Sequence, residues 1–230
     1  MDTPGVKIVS VSLHHEVLTP WAELCARLSV PPCVLSLDFH TDTLSAANRG
    51  LPPPFPGEFL RPGAVKSAQK ALHHDEHFDW ALRSGLISKA VILSISPQIG
   101  PLPCPELRVL PFRNAPSVQS ILNDPESVRD FTDTLLSSRL PVSEELNFTR
   151  GTAPWILDID CDVFLTERAL EYPEDGLFAD WVRRASLITV SRESDWVKLL
   201  RLPGEKLTGE SIAAELCRKI NHSRQGYKTT

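Results

Sequence analysis

Short apolar runs alternate along the chain with amphipathic stretches of helical period. The runs at 6–12 (VKIVSVS), 33–38 (CVLSLD), 89–95 (KAVILSI), 154–160 (PWILDID) and 186–191 (SLITVS) predict five strands. Amphipathic segments predict helices near 20–29, 64–84, 117–123, 126–138, 175–185, 193–200 and 209–221, with Gly85 placed to cap the second of these. Several strands are almost continuously apolar, as expected when both faces of a parallel sheet are covered. The alternation therefore predicts an α/β fold: three α/β/α layers around a mostly parallel central sheet. In such folds ligands collect beyond the carboxyl ends of the strands.

Composition narrows this picture. The 230 residues suit one domain, taken as 1–222, with 223–230 as a flexible tail. No apolar run is long enough to span a membrane, and the opening MDTPGVKIVSVSL has neither the charge nor the apolar core of a targeting segment, so a cytoplasmic location is expected. A net charge of -5 argues against nucleic acid as partner. The five cysteines are scattered, with no CxxC pair, and are expected as free thiols. Prolines gather at 51–63 and 96–116, each time after a strand, where long loops border a ligand crevice.

The chemistry is concentrated at two strand ends. VLSLDFHTD carries Asp38, His40 and Asp42 at alternate positions, and WILDIDCD carries Asp158, Asp160 and Asp162. Alternation on an extended chain would put Asp38, His40 and Asp42 on one face, and Asp158 with Asp160 on another. A buried strand does not hold neighbouring carboxylates without a compensating cation. Six of the seven histidines, His14, His15, His40, His73, His74 and His77, fall near a strand end or in the helix after the first proline stretch. Carboxylates with one or two imidazoles and no thiolate suit a hard divalent ion such as Mn²⁺, and there are enough of them for two ions.

These motifs resemble those of the arginase and agmatinase (ureohydrolase) superfamily. DFHTD is similar to its D-x-H-x-D motif and LDID to its D-x-D motif. The order of His14-His15-Glu16, DFHTD, HHDEHFDWALRSGLI and LDID resembles a compact branch that includes peptide arginases, which convert arginine to ornithine in ribosomal peptides. The resemblance implies an arginase-like fold and two Mn²⁺ per chain. It implies Asp38 and Asp158 as bridging carboxylates, His40 and Asp160 as ligands of one ion, and Asp42 with His15 as ligands of the other. His14 and Asp162 would stand behind these ligands. Glu193, after the strand LITVSR, matches the glutamate that holds the guanidinium, with a salt bridge to Arg192 or Arg184 as the alternative. The proton-carrying histidine would be His77, His74 or His73, in that order, with Glu76 and Asp79 as further candidates for the substrate end.

The substrate expected from this resemblance is an arginine-containing precursor peptide. The stretch TLSAANRGLPPPFPGEF after D-x-H-x-D offers only Ser45 and Asn48 as small polar residues before the prolines, which suits an extended chain better than a free amino acid. A small-molecule ureohydrolase, a single-metal amide deacetylase and a non-catalytic metal- or peptide-binding protein remain the alternatives.

Overall fold

The computed structural model describes residues 7–49, 62–96 and 101–225. Among these, six strands form one fully parallel sheet: β1 (Lys7–Val11), β2 (Cys33–Asp38), β3 (Lys89–Ser94), β4 (Leu107–Pro111), β5 (Trp155–Asp160) and β6 (Leu187–Ser191), in the order β1-β6-β5-β2-β3-β4. The chain moves outward from β2 through β3 to β4, then returns to the other side of β2 for β5 and moves outward again to β6. The crevice at such a reversal lies between the carboxyl ends of β2 and β5, the two strands that carry the aspartate motifs.

Side-chain alternation divides the core into two. Leu35, Leu37, Val91, Leu93, Leu157, Ile159, Ile188 and Val190 face a layer built from α4 (Val118–Asn123), α5 (Arg129–Asp133), α6 (Leu135–Ser138), α7 (Leu177–Arg184), α8 (Ser194–Leu200) and α9 (Gly209–Gln225). Val34, Ala90, Ile92, Ile156 and Leu187 face α1 (Leu18–Cys25), α2 (Pro62–Ala71) and α3 (His77–Arg83). Fully buried positions such as Leu35 and Ile156 each contribute roughly 1.5–3 kcal/mol of hydrophobic stabilisation. The face toward α1–α3 changes character along the strands. Val34 gives way to Ser36 and Asp38, Ile156 to Asp158 and Asp160, Leu187 to Thr189 and Ser191, all buried. A polar floor is thereby laid at the carboxyl end of an otherwise apolar face.

Three expectations need correction. The helix expected over 64–84 is two helices, because side-chain and backbone groups of 73–77 bond locally. Glu76 accepts the His73 N–H (2.9 Å) and His77 Nδ1 meets the His74 carbonyl (2.8 Å), offering the backbone an alternative to continuous helix. Gly85 does cap α3 with φ 69°, and Leu86 N–H reaches back to the Ala81 carbonyl (2.9 Å). The second proline stretch contains the edge strand β4, which ends on Pro111, with the Phe112 N–H still donating to the Ser94 carbonyl of β3 (3.3 Å). At the carboxyl end, α9 continues to Gln225, so residues 223–225 of the expected tail are helical and 226–230 lie outside the described residues. Most of the first proline stretch (51–61) lies outside them too. The cysteines are free, with Cys25 and Cys161 buried, and no helix among the described residues is long and apolar enough to cross a membrane.

The turn from β6 into α8 is pinned from two sides. Arg192 and Glu193 donate their N–H groups to the carbonyls of Val11, the last residue of β1, and Ser12 just after it (3.1 and 3.2 Å). From the other side Gly209, at the start of α9, packs against it so closely that a Cβ would overlap the Arg192 carbonyl and come within 2.7 Å of Ser194 Oγ. Gly209→Ala should therefore destabilise the protein by about 1–3 kcal/mol, measured as a lowered urea midpoint with an unchanged m-value.

Candidate metal and guanidinium site

Strand register sets the site. Ser36 pairs with Asp158 and Leu37 with Ile159, which leaves Asp38 and Asp160 side by side at the strand ends. Beyond them neither chain stays extended. Asp42 adopts a left-handed conformation (φ 44°), turning its carboxylate back toward Asp38, and Asp162 sits in a 3₁₀ turn whose first N–H groups are capped by Asp160 Oδ1 (3.3 Å). The five aspartates thus converge through two turns, and the pleat supplies only part of the convergence that strict alternation predicts. All five are buried: Asp38, Asp42, Asp158, Asp160 and Asp162.

Histidine 14 occupies the centre. It comes from a 3₁₀ turn (His14–Val17) after β1, held by Glu16, whose carboxylate accepts the N–H groups of Ser12 (2.8 Å) and Leu13 (3.1 Å). Its Nε2 lies 2.7 Å from Asp158 Oδ2, while Nδ1 faces Asp42 (2.8 Å), Asp160 (3.1 Å) and Asp38 (3.7 Å). His14, not His15, therefore stands among the carboxylates. In a 3₁₀ turn successive side chains diverge, so the inward position of His14 directs its neighbour elsewhere. His15 is half-buried, and burial lowers its pKa.

Among the described residues three groups of ligand atoms emerge, each within 4.8 Å of one another: His14, Asp38, Asp42 and Asp160; Asp38, His40 and Asp162; and, deeper, His14, His77 and Asp158. The first two share Asp38. His40 Nδ1 meets Asp162 Oδ2 (2.9 Å), and the His40 N–H binds Asp38 Oδ1 (2.7 Å), leaving Asp38 Oδ2 buried without a hydrogen bond. Asp162, expected behind the ligands, is in the second group. Asp158, expected to bridge, is one rung lower: it joins only a deeper group with His14 and His77, and its oxygens are engaged by Ser36 (2.8 Å), Thr189 (2.6 Å) and His14. The register accounts for this displacement, since the side chain level with Asp38 is Asp160.

Glu193 lies beside this centre. Its Oε1 accepts the His14 N–H (2.6 Å), its backbone is left-handed (φ 34°, ψ 48°), and it is 5% exposed. Arg192 is instead engaged by the Val11 carbonyl and Ser12 Oγ, and Arg184 by Asp180 and the Arg150 carbonyl, so neither alternative salt bridge forms. A left-handed non-glycine residue costs of order 1–3 kcal/mol, offset here by the bonds to Ser12 and His14. Burial raises the Glu193 pKa, only partly opposed by the His14 amide.

The remaining candidates separate by depth. His77 is fully buried against the rings of His14, Trp21 and Phe78, with Nδ1 bonded to the His74 carbonyl. Burial and the nearby His14 lower its pKa to about 3. His74 is half-buried near the mouth, with its ring 6.3 Å from Trp196; His73 is exposed. Glu76 is buried and accepts the His73 N–H. Asp79 holds the loop after the motif through Ser45 Oγ (3.1 Å) and Ala46 N–H (2.7 Å). Trp196, which the sequence reading passed over, stacks edge-on to His40 (4.9 Å between ring centres) one helical turn beyond Glu193. Its i, i+3 spacing from Glu193 was the available signal.

Neither a protein-family model nor a curated protein matches the sequence. Among solved structures, a hypothetical agmatinase from Burkholderia thailandensis matches with a TM-score of 0.51 and 14% identity, over 97% of this chain and 60% of that one. Proclavaminate amidino hydrolase from Streptomyces clavuligerus matches with a TM-score of 0.46 and 15% identity, over 94% and 64%. The chain thus spans about 60% of the length of that agmatinase. The likeness establishes the α/β fold expected from the sequence.

Without metal the charge balance of the site depends on His14. Burial works against its imidazolium, but the carboxylates of Asp158 and Asp160 outweigh that and hold its pKa well above 6.5. A raised histidine pKa stabilises the fold fully below about 6.5, and that contribution is lost as pH rises through the folded value. The raised carboxyl values of Asp38 and Asp160 act in the same direction, whereas the lowered values of Asp42 and Asp158 add stability that is lost only as pH falls below the ordinary carboxylate range and does not change above 6.5. Metal-free protein should therefore lose a few degrees of Tm as pH is raised above about 6.5, on the scale of roughly 2–4 °C per kcal/mol for a chain of this size. Scanning calorimetry in chelator across that range checks it, and an unchanged or rising Tm would contradict this charge assignment.

Proposed function

We propose that the protein is a binuclear metal-dependent hydrolase that cleaves the guanidinium group of arginine within a peptide, giving ornithine and urea. The observation that carries this reading is the pair of ligand groups sharing Asp38, with the buried carboxylate of Glu193 bound to the backbone of His14 beside them. The donor set fits divalent cations. Five buried carboxylates converge, Asp38 Oδ2 lacks a hydrogen bond, and carboxylate with imidazole is the chemistry that Mn²⁺ accepts. His14, Asp38, Asp42 and Asp160 would hold one ion; Asp38, His40 and Asp162 the other. Bound there, two such ions supply Lewis-acid activation of water near neutral pH.

The chain's own groups then account for orientation and proton transfer. Glu193 binds the guanidinium through its carboxylate, within a wall formed by Trp196, whose ring face favours a planar cation. Hydrolysis forms a bond from water oxygen to the guanidinium carbon and breaks the bond to the side-chain nitrogen, which leaves as an amine after gaining a proton. His74, at the mouth, is the imidazole placed to carry that proton. His77 is too enclosed for the task and holds its neighbours in place instead.

A peptide is favoured over free arginine by what the loop after the motif does. Ser45, the small polar side chain available to a free amino acid, spends its hydroxyl on Asp79 and lies beside Arg83 Nη2 (3.5 Å). Trp196, His40 and His74 together present an aromatic rim, which suits an extended chain. The five free cysteines suit a reducing cytoplasm.

The direct test gives Mn²⁺-loaded protein either an arginine-containing peptide or free L-arginine. Urea with a peptide mass lower by about 42 Da per arginine is expected from this chemistry; urea from free arginine alone would reassign the substrate, and no urea from either would refute the reaction. Glu193→Gln should reduce kcat/KM by roughly 10²–10³-fold, as for removal of one preorganised electrostatic contact, with two ions still bound. Retained activity in that variant would remove Glu193 from the substrate end.

A further inference from the structure

The geometry points to Asp158 as a positioning residue that fixes the tautomer and ring orientation of His14, leaving metal ligation on this strand to Asp160 and the shared carboxylate to Asp38. This inference rests on the metal-centre reading above. Asp158 is fully buried, and both lone pairs of Oδ2, the oxygen facing the site, are occupied: Ser36 Oγ donates from 2.8 Å and His14 Nε2 lies at 2.7 Å. Oδ1 accepts the Thr189 hydroxyl at 2.6 Å, and Thr189 Oγ1 in turn accepts the Trp21 indole N–H at 3.3 Å. A relay of fixed donors therefore leaves this carboxylate one way to meet His14, as acceptor for Nε2–H.

The consequence falls on the other nitrogen. With the proton held at Nε2, Nδ1 is the nitrogen left to give up its proton to a cation bound in the space bounded by Asp42, Asp160 and Asp38, which lie at 2.8, 3.1 and 3.7 Å. Nδ1 makes no well-formed hydrogen bond despite these distances, and one N–H could not serve three carboxylates in any case. A carboxylate behind a ligating imidazole both orients the ring and raises its basicity. The relay explains three polar residues in strand interiors that the two groups sharing Asp38 leave unused, Ser36, Asp158 and Thr189. It also explains why they occupy adjacent strands at one level, since Ser36 pairs with Asp158 and Asp158 with Thr189.

The test is Mn²⁺ titration followed by calorimetry, independent of turnover. Wild-type protein should bind two ions; fewer would refute the metal-centre reading itself and not this inference alone. Asp158→Asn should weaken one of the two sites by about 10–100-fold, the usual cost of losing such a partner, and leave the other within about twofold. Loss of both sites would show that Asp158 is a ligand, and two unchanged sites would show that it does not act on His14; either overturns the inference. In a His14→Ala background, adding Asp158→Asn should change the remaining site by no more than about twofold, because the effect is routed through the imidazole. A further loss there is what a merely structural role would give. If Asp158→Asn does not fold, Ser36→Ala and Thr189→Val replace it: each removes one donor from the relay and should weaken the same single site several-fold. Weakening of the other site, or no change in either variant, overturns the proposal.

Discussion

The mutual repulsion of five aspartates buried at one end of a sheet is the constraint around which the site is organised. Carboxylates stay charged in such surroundings only when something positive or hydrogen-bonding faces each of them. Asp158 has hydroxyls and an imidazole; Asp162 has the Phe39 amide (3.1 Å) and His40; Asp42 has His14. Asp38 and Asp160 are left as the least compensated pair, and their pKa values are raised by burial and by neighbouring carboxylates. The two groups that neighbour each other at the strand ends are therefore those most in need of a cation. The fold concentrates charge and leaves its neutralisation to what binds.

The sheet permutation makes this concentration possible. Had β5 followed β4 outward, the two aspartate motifs would lie at opposite ends of the sheet. The return to the inner side of β2 makes β5 its neighbour, and two strands that are far apart in sequence become a single crevice. Helices α1 and α3 pack Trp21, His77 and Phe78 beneath the centre, while His40 and His74 gather around Trp196.

Much of this was legible in the chain. Five strands, most helices and the layer order followed from periodicity, because buried parallel strands leave long apolar runs. β4 escaped because its five residues lie in a proline-rich stretch, and prolines tolerated at a sheet edge look identical to prolines of a loop. The aspartates announced a cluster of ligand-type side chains, but not its register: alternation says which residues share a face, while only pairing with β2 decides whether Asp158 or Asp160 stands level with Asp38. Ser36 held the missing clue, being a hydroxyl in a buried strand that needed a partner one rung below the site. Between His14 and His15 the choice turned on a 3₁₀ turn, whose side-chain directions are not written in residue type. Glu193 was singled out through the resemblance, by its place after a late strand; its left-handed backbone, stitched to the turn after β1, was not foreseen.

That stitching has a consequence for how the molecule assembles. His14 and Glu193 are 179 residues apart, and the bond between them joins the turn after the first strand to the turn after the last. β1 pairs only with β6, at the margin of the sheet, while the inner strands are supported on both sides. Closing so long a loop is entropically expensive and yields its reward only once both partners are in place. The four strands from β2 to β5 can share their ladders without this contact, but the central imidazole cannot reach its position until β1 docks. Function is thereby tied to the most distant pairing in the topology: a chain that has collapsed but not joined its first strand to its last has the carboxylates without the histidine that organises them.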